Sequence, residues 1–257
     1  MGYKTSYDRY EINADMGEGF GRWTVAPDEE IMKVIDVANV ACGFHAGDYT
    51  IMKKTVQLAK KYGVRIAAHP GLPDLQGFGR RAMDISPEEI YNLIIYQVGA
   101  LREICRIEGV EIESLGPHGQ LYFAARTNDK VLDAVCQAAR DLNLPITGTR
   151  SEKFKKKYEE RGVALLEKFF ADIDWDADTG NLAHFSNWTK KTPEQIAARF
   201  TQAVEEDKVE CYDGRFHTLE FNGKPFSLGI HSDFPGSLEN IKAARIAVDA
   251  MNKKYGL

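Results

Sequence analysis

The sequence Asn39-Val-Ala-Cys-Gly-Phe-His-Ala-Gly-Asp48 decides the fold, together with Ala67-Ala-His-Pro-Gly71 further along the chain. In both stretches an apolar run ends and a histidine flanked by glycine follows. The apolar runs, residues 37–40 and 64–68, are typical of short strands that are buried on both faces. Glycine lets the chain turn sharply and lets a ligand approach the backbone. The two stretches therefore predict parallel strands whose C-terminal ends carry the chemistry, as in α/β enzymes.

Strand-like and helix-like segments alternate outward from these two stretches. The predicted strands cover residues 9–13, 37–41, 64–69, 111–115, 144–147, 163–170 and 226–231. The predicted helices cover residues 27–36, 48–62, 86–108, 128–142, 151–161, 192–206 and 235–254, with Asp48 as the candidate N-cap of the second. Residues 208–212 and 217–221 predict a hairpin around Asp213-Gly214. This alternation predicts about seven βα units and a parallel sheet.

The length of the chain favours one closed barrel. The 257 residues contain no linker, internal repeat or low-complexity segment, and a single α/β barrel is about this long. We therefore expect one (β/α)-barrel domain over residues 1–257. An open, doubly wound sheet is the alternative, but it would concentrate the functional residues at one switch point. Here they follow nearly every strand, which favours a closed barrel of about seven parallel strands.

Composition excludes several classes of partner. The net charge of −5 argues against nucleic acid or an anionic membrane as a partner, and no apolar run is long enough to span a bilayer. The N-terminal residues lack the apolar segment of a secretory signal. The four cysteines form no CxxC pair, which argues against a zinc ribbon or a thioredoxin motif. We expect a cytoplasmic protein.

Histidines and acids follow almost every predicted strand. In chain order they are Asn13 with Asp15, His45 with Asp48, His69, His118, Asp172, and His231 with Asp233. A lone histidine is more often structural than catalytic, but four of the six histidines here stand after strands. Because the C-terminal ends of barrel strands meet on one face, we expect these side chains to converge. His184 and His217 do not fit the pattern, and we expect them to be structural or at the surface.

Two loops extend the same face. Asp15-Met-Gly-Glu-Gly-Phe-Gly21 follows the first strand, with Glu18 at its mouth, and its N–H groups are suited to an anion. It matches no nucleotide-binding fingerprint. The loop over residues 70–81 is long, which indicates a function. Its Arg80 is a candidate clamp for a carboxylate or a phosphate, and Arg81 is expected to bind a neighbouring loop.

A divalent metal ion is left open by the residue pattern. Histidine and carboxylate ligands are available at Asp15, His45, Asp48, His69 and His118. The chain contains no HExxH or His-x-His pair that would decide the question. If a metal is present, we expect Asp15, His45 and His69 among its ligands.

Taken together, these motifs resemble those of the LamB/YcsF family. The matching stretches are Asn13-Ala-Asp-Met-Gly-Glu-Gly-Phe-Gly21, Ala38-Asn-Val-Ala-Cys-Gly-Phe-His-Ala-Gly-Asp48, His69-Pro-Gly-Leu-Pro-Asp-Leu-Gln-Gly-Phe-Gly-Arg-Arg81, Pro117-His-Gly119 with Leu121-Tyr122, Phe170-Ala-Asp172 and Pro235-Gly236. They run in the family's order over nearly the whole chain. The resemblance implies a seven-stranded (β/α) barrel akin to the glycoside hydrolase and deacetylase barrels.

The resemblance also implies an activity. The family's best-known activity is that of the A component of the bacterial ATP-dependent 5-oxoprolinase, a lactam hydrolase. It implies ATP as a co-substrate and partner proteins similar to the B and C components of that enzyme. No ATP-binding loop is evident in this chain, which agrees with a role for partners.

We assign roles in such a reaction to the candidate residues as a hypothesis. Candidate catalytic residues are Asp15, His45, Asp48, His69, His118 and His231. Candidate substrate-binding residues are Asn13, Glu18, Asn39, Arg80, Asp172 and Asp233. Asp15 or Asp48 would activate water, and His45 or His118 would protonate the leaving nitrogen. His69, His231 and the N–H groups of the glycine-rich loop would meet the developing oxyanion.

The chain departs from the family pattern at several of these motifs. The family usually has Lys where this chain has Gly116, and Arg and Tyr where it has Ile173 and Trp175. Gln120 and Phe123 replace the outer residues of Ala-Leu-Tyr-Asn, and Ser232 replaces the Gly of His-Gly-Asp. These departures predict a site that has lost cations, which favours a less acidic or more apolar lactam or amide.

Two other functions remain open at this point. One is a metal-dependent amide hydrolase that acts alone, like the deacetylase barrels. The other is a non-catalytic subunit that binds a small amide, including a relative that has lost activity.

Overall fold

The computed structural model describes residues 6–257 and shows a closed barrel of seven parallel strands. The strands are β1 (Glu11–Met16), β2 (Val37–Ala41), β3 (Arg65–His69), β4 (Ile112–Leu115), β5 (Ile146–Thr149), β6 (Leu165–Phe170) and β7 (Ser227–Ile230). Strands that are consecutive in this series are neighbours in the barrel, and β7 pairs with β1 to close it. The predicted barrel is confirmed. The first five residues, on which part of the expectation about a secretory signal depends, lie outside the described range.

Helices surround the barrel. They are α1 (Asp28–Met32), α2 (Tyr49–Tyr62), α3 (Pro87–Glu108), α4 (Gly119–Thr127), α5 (Asp129–Leu142), α6 (Glu152–Glu159), α7 (Pro193–Glu206) and α8 (Ser237–Tyr255). A capping box begins α3: the Ser86 hydroxyl accepts from the Glu89 N–H, and the Glu89 carboxylate accepts from the Ser86 N–H. Over residues 6–257, none of these helices combines the length and apolarity that a bilayer span requires.

Some elements differ from the predictions. β1 continues to Met16 rather than ending at Asn13, because Ala14, Asp15 and Met16 pair with β2. The helix α4 and a short antiparallel pair, Trp175–Asp176 with Asn181–Leu182, were not predicted. Both are too short to show a clear periodicity in the sequence. The predicted hairpin is confirmed, with Lys208–Glu210 pairing with Phe216–Thr218.

The C-terminal half of the barrel interior is polar. Asn13 and Asp15 lie on one face of β1 because side chains alternate along a strand, and Asp15 is in register with Asn39 of β2. The Asn39 amide donates to Asp15 Oδ1 at 2.9 Å and to Asn13 Oδ1 at 3.0 Å. Its oxygen accepts from Lys168 Nζ of β6 at 3.0 Å. One amide therefore links three strands and fixes the side chains that reach the mouth of the barrel.

The capping box of α3 can be tested by a matched pair of variants. Ser86→Ala removes the hydroxyl that accepts from the Glu89 N–H and donates to the Glu89 carboxylate, but it keeps the backbone N–H of residue 86. We therefore expect it to lower the free energy of unfolding by about 0.5–2 kcal/mol. Ser151→Ala at the start of α6 is the control, because the Ser151 side chain makes no capping hydrogen bond. Urea denaturation measures both, and equal losses in the two variants would contradict the assignment.

Candidate active site

A pocket opens at the C-terminal end of the barrel. Its polar lining includes Asp15, Asn39, His69, Arg80, His118, Thr147, Lys168 and His231. Its apolar lining includes Phe123, Phe170, Ile173, Leu182 and Trp188. The cavity volume of about 50 Å³ is room for roughly four water molecules, since each requires about 10–15 Å³ on this scale. The pocket therefore fits a small molecule that is polar on one side and apolar on the other.

The structure brings most of the predicted catalytic residues together. Asp15, His69, His118 and His231 line the pocket. His45 is fully buried behind it, and its ring stacks on that of His118 with 3.7 Å between centroids. His45 therefore contacts the site through His118 and not through the cavity.

Asp48 has a different position from the one expected. Its Oδ1 accepts from the N–H groups of Thr50 and Ile51 at 2.8 and 2.9 Å, and its Oδ2 accepts from the Gly21 N–H at 2.8 Å. It caps α2 and does not line the pocket. Because backbone groups engage both oxygens, the geometry corrects the expectation that Asp48 activates water.

The glycine-rich loop also uses its N–H groups internally. The Gly21 N–H is bound to Asp48, and the Gly17 N–H donates to Asp28 Oδ2 at 3.1 Å. These two donors are therefore engaged by carboxylates of the protein, contrary to the expectation that they bind an anionic ligand. The Glu18 side chain of the same loop is buried, with Oε1 3.2 Å from His45 Nε2.

Backbone carbonyl groups hold two of the imidazoles. His69 Nδ1 lies 2.6 Å from the Gly116 oxygen, and His118 Nε2 lies 2.7 Å from the Phe78 oxygen. A carbonyl oxygen only accepts, so these two nitrogens carry the ring protons. The remaining nitrogens, His69 Nε2 and His118 Nδ1, face each other at 3.0 Å. Both point their lone pairs into the same space when the rings are neutral.

Two glycines make room for this arrangement. A Cβ on Gly71 would lie 2.5 Å from His45 Nδ1, and one on Gly79 would lie 2.6 Å from His45 Cβ and 2.8 Å from His118 Cδ2. Gly79 also has a φ of +66°, which disfavours a side chain. The glycines of the long loop are therefore required for the imidazoles to stack.

Two buried acids of the site titrate in opposite directions. Burial raises the pKa of Asp15, but the electrostatic influence of the neighbouring histidines, first His69 and then His231 and His118, outweighs it and holds that pKa well below its usual value. Burial and the negative charge of Asp15 raise the pKa of Glu18 well above its usual value. The surroundings therefore favour the ionised form of Asp15 and disfavour the ionised form of Glu18. Such a split is typical of sites that move protons.

The histidines also divide into neutral and charged groups. Burial, followed by the neighbouring histidines, lowers the pKa of His45 and of His118 well below the usual value. Burial lowers the pKa of His231 too, but the Asp172 carboxylate outweighs it and the result is about 9. Asp172 Oδ2 accepts from both the Nδ1 and the backbone N–H of His231, at 3.0 and 2.6 Å. His231 therefore enters the pocket as an imidazolium, 3.9 Å from Asp15 Oδ2.

The candidate substrate-binding residues form two groups, those that line the pocket and those that lie behind its lining. Asn39 and Arg80 line the pocket, whereas Asn13, Glu18, Asp172 and Asp233 lie behind residues that do. Asp233 holds Arg80 through an ion pair of 2.8 Å, and the guanidinium lies 5.5 Å from the Trp188 ring. Arg81 pairs with Asp74 of its own loop, which corrects the expectation that it binds a neighbouring loop. His184 and His217 lie outside the pocket.

The sequence analysis missed Lys168. Its ammonium group is buried at the pocket, and burial lowers its pKa to about 8 although Asp15 opposes the change. A Cβ on Gly116 would lie 3.8 Å from Lys168 Nζ and 2.6 Å from Thr147 Oγ1. These side chains therefore fill the space beside Gly116. The available signal was a charged residue, Lys168, on the predicted barrel strand that contains Leu165-Leu-Glu-Lys-Phe-Phe170.

This lysine changes the expectation about charge. Lys168, His231 and Arg80 all line the pocket, so the site has cations despite Gly116 and Ile173. Lys168 therefore adds a cation that the sequence analysis did not expect, while Gly116 and Ile173 still supply none. Ile173 and Phe123 form part of the apolar wall, and Ser232 is buried without lining the pocket.

The grouping of candidate metal ligands also differs from the expected one. Glu18, His45, His69 and His118 offer donor atoms that all lie within 4.8 Å of one another. Asp15, which the sequence suggested as a ligand, lies beside this group.

Comparison with known proteins identifies the family. The LamB/YcsF family model matches residues 10–255. The chain belongs to the LamB/YcsF family. It is 40% identical to the lactam utilization protein lamB of Emericella nidulans over 245 residues, covering 95% of this chain and 96% of that protein. It is 38% identical to the A subunit of 5-oxoprolinase from Staphylococcus epidermidis over 241 residues, covering 92% and 94%.

A solved structure agrees with this assignment. The lactam utilization protein from Thermus thermophilus superposes with a TM-score of 0.85 and 33% identity, covering 95% of this chain and 97% of that one. This LamB/YcsF chain therefore shares its fold with that lactam utilization protein over nearly the whole length of both.

The Asp172–His231 pair predicts a pH-dependent stability. Because the folded pKa of about 9 exceeds the ordinary 6.5, the pair stabilises the fold fully below pH 6.5 and loses this contribution as the pH rises through 9. Asp172→Asn should therefore lower the free energy of unfolding by up to about 3 kcal/mol at pH 6 and by much less at pH 9.5. Denaturation at both pH values measures this, with exposed Asp84→Asn as control. A penalty that is the same at both pH values would refute the pairing.

Proposed function

We propose that this chain is the A-type component of an ATP-dependent lactam hydrolase, which opens the C–N bond of a small ring amide bearing a carboxylate, such as 5-oxoproline. The names of the relatives support a role in lactam utilization. The observation that carries the proposal is the pocket itself, where the Asp15 carboxylate faces the His231 imidazolium and the Lys168 ammonium across a small cavity.

The reaction requires more than this chain. The word subunit in the names of relatives indicates a complex, and we propose B-like and C-like partners that act with ATP in the cytoplasm. ATP would transfer a phosphoryl group to the lactam oxygen and leave as ADP. Water then adds to the carbonyl carbon and gives up a proton to a base, phosphate leaves, and the C–N bond breaks as the nitrogen gains a proton. We further propose that residues 1–257 act as one domain, because β1 and β7 must pair to close the barrel.

Asp15 is the proposed base toward water. It lines the pocket, and the neighbouring histidines favour its ionised form, so its carboxylate has a lone pair that can bind and orient a water molecule. Asn39 donates to its Oδ1, which leaves Oδ2 directed toward the side of His231. A carboxylate fixed by an amide on one oxygen can orient a water molecule with the other.

Lys168 is the proposed proton donor to the leaving nitrogen. His45 does not line the pocket, and His118 already donates its Nε2–H to the Phe78 carbonyl. The Lys168 ammonium has three protons, of which one is used by Asn39. A pKa of about 8 suits a group that gives up a proton near neutral pH.

His231 and Arg80 are the proposed partners of negative charge on the substrate. Both are cationic and line the pocket, and each is oriented by a carboxylate, Asp172 or Asp233. A substrate carboxylate and the oxygen of the reacting carbonyl are the groups that they would bind. The apolar wall at Ile173 and Trp188 would contact the methylene edge of the ring.

A lactam panel tests the proposed function. The chain is mixed with its B-like and C-like partners and assayed with and without ATP for ring opening. We expect turnover of carboxylate-bearing five-membered lactams only when ATP and both partners are present. Turnover of amides by this chain alone, or tight lactam binding without turnover in the complete mixture, would contradict it and favour one of the alternative functions.

Lys168→Met tests the proton donor. It removes the donor with little change in volume, so we expect kcat to fall by about 100-fold or more and the alkaline limb of the kcat profile near pH 8 to disappear. Exposed Lys224→Met is the control and should leave both unchanged. A change in KM alone, with kcat and its pH profile intact, would assign Lys168 to binding instead.

A further inference from the structure

We propose that Glu18, His45, His69 and His118 bind one divalent transition-metal ion of the zinc class in the wall of the pocket. The four side chains are buried, and their donor atoms all lie within 4.8 Å of one another. The inference does not depend on lactam hydrolysis, because it follows from the orientation of these side chains alone.

The first argument is the direction of the lone pairs. The Gly116 and Phe78 carbonyl oxygens fix the protons of His69 on Nδ1 and of His118 on Nε2. The opposite nitrogens then face each other at 3.0 Å, with no hydrogen between them when both rings are neutral. Two facing lone pairs repel unless a cation lies between them. A backbone carbonyl behind the ring is also the usual arrangement for a histidine that binds metal.

The second argument distinguishes a metal ion from a shared proton. One proton between His69 and His118 would satisfy those two nitrogens only. The buried Glu18 Oε2 has no hydrogen-bond partner, although Glu18 Oε1 lies 3.2 Å from His45 Nε2 and 3.8 Å from His118 Nδ1. A divalent cation would contact both rings and the carboxylate at once.

His45 can supply the fourth donor. Its Nδ1 is buried and has no partner, so no protein hydrogen bond fixes its tautomer through that atom. When the Glu18 carboxylate binds the cation, the His45 proton can therefore lie on Nδ1 and leave the Nε2 lone pair free. Gly71 and Gly79 provide the space that this ring occupies.

The distances fit an ion of this size. Zinc binds imidazole nitrogen at about 2.0–2.1 Å, so neighbouring ligand atoms of a tetrahedral site lie about 3.4 Å apart. The separations of 3.0 Å between His69 and His118 and 3.2 Å between His45 and Glu18 are close to this value. Donor atoms of this group that lie farther apart, up to 4.8 Å, would move closer together when the ion binds. Three imidazoles and one carboxylate are a donor set that favours Zn²⁺ or its neighbours over Mg²⁺ or Ca²⁺.

Direct metal binding tests the proposal. The full-length chain is stripped with a chelator and titrated with Zn²⁺ by calorimetry, with bound metal counted by elemental analysis and Co²⁺ used as a spectroscopic probe. We expect one ion per chain, a rise in Tm on binding, and a Co²⁺ absorption band typical of tetrahedral nitrogen and oxygen ligands. Glu18→Gln, which preserves shape, should weaken binding at least tenfold and remove the rise in Tm.

Two controls keep the test decisive. His184→Asn removes an exposed histidine outside the cluster and should bind Zn²⁺ as the parent does. His69→Asn is another variant of the same metal site, to be measured if Glu18→Gln fails to fold. Absence of saturable binding at one equivalent, or equal affinity in a folded site variant, would overturn the proposal. Stoichiometric binding without lactam turnover would support the metal site and contradict only the proposed function.

Discussion

Two hydrogen bonds from imidazole rings to backbone carbonyl groups determine what this site can do. His69 donates to Gly116 and His118 donates to Phe78, at 2.6 and 2.7 Å. These bonds place both remaining lone pairs on the same side. Phe78 has a φ of +55°, which is uncommon for a residue other than glycine, and it is followed by Gly79 in the same region. The long loop therefore holds a strained conformation where its carbonyl group orients a histidine, as functional sites often do.

The barrel supplies the opposing charges. Asn39 joins Asp15 to Lys168 across the interior, because its amide donates to the acid and its oxygen accepts from the buried ammonium group. The Asp172 carboxylate favours the cationic form of His231, whose Nε2 lies 3.9 Å from Asp15 Oδ2. The pocket consequently presents separated positive and negative groups to a small ligand. This separation is what a reaction that moves protons at an amide requires.

The sequence predicts the barrel and much of the site because both depend on short, local signals. Apolar runs that end in histidine identify the strands, and the closure of the barrel then brings His69, His118 and His231 to one pocket. The same signals mislead at Asp48, because an aspartate that caps a helix has the same spacing as one that reaches a pocket. Lys168 is missed because its role depends on Gly116, which lies on another strand and leaves the space beside it open.

The direction of the two lone pairs depends on which nitrogen of each ring carries the proton, and nitrogen-15 NMR of His69 and His118 measures this. Long-range proton–nitrogen spectra of the chelator-treated protein, assigned with His69→Asn and His118→Asn, report which ring nitrogen carries the proton. The account predicts a proton on Nδ1 of His69 and on Nε2 of His118. The opposite tautomer at either ring would mean that the lone pairs do not face each other, and it would contradict the account.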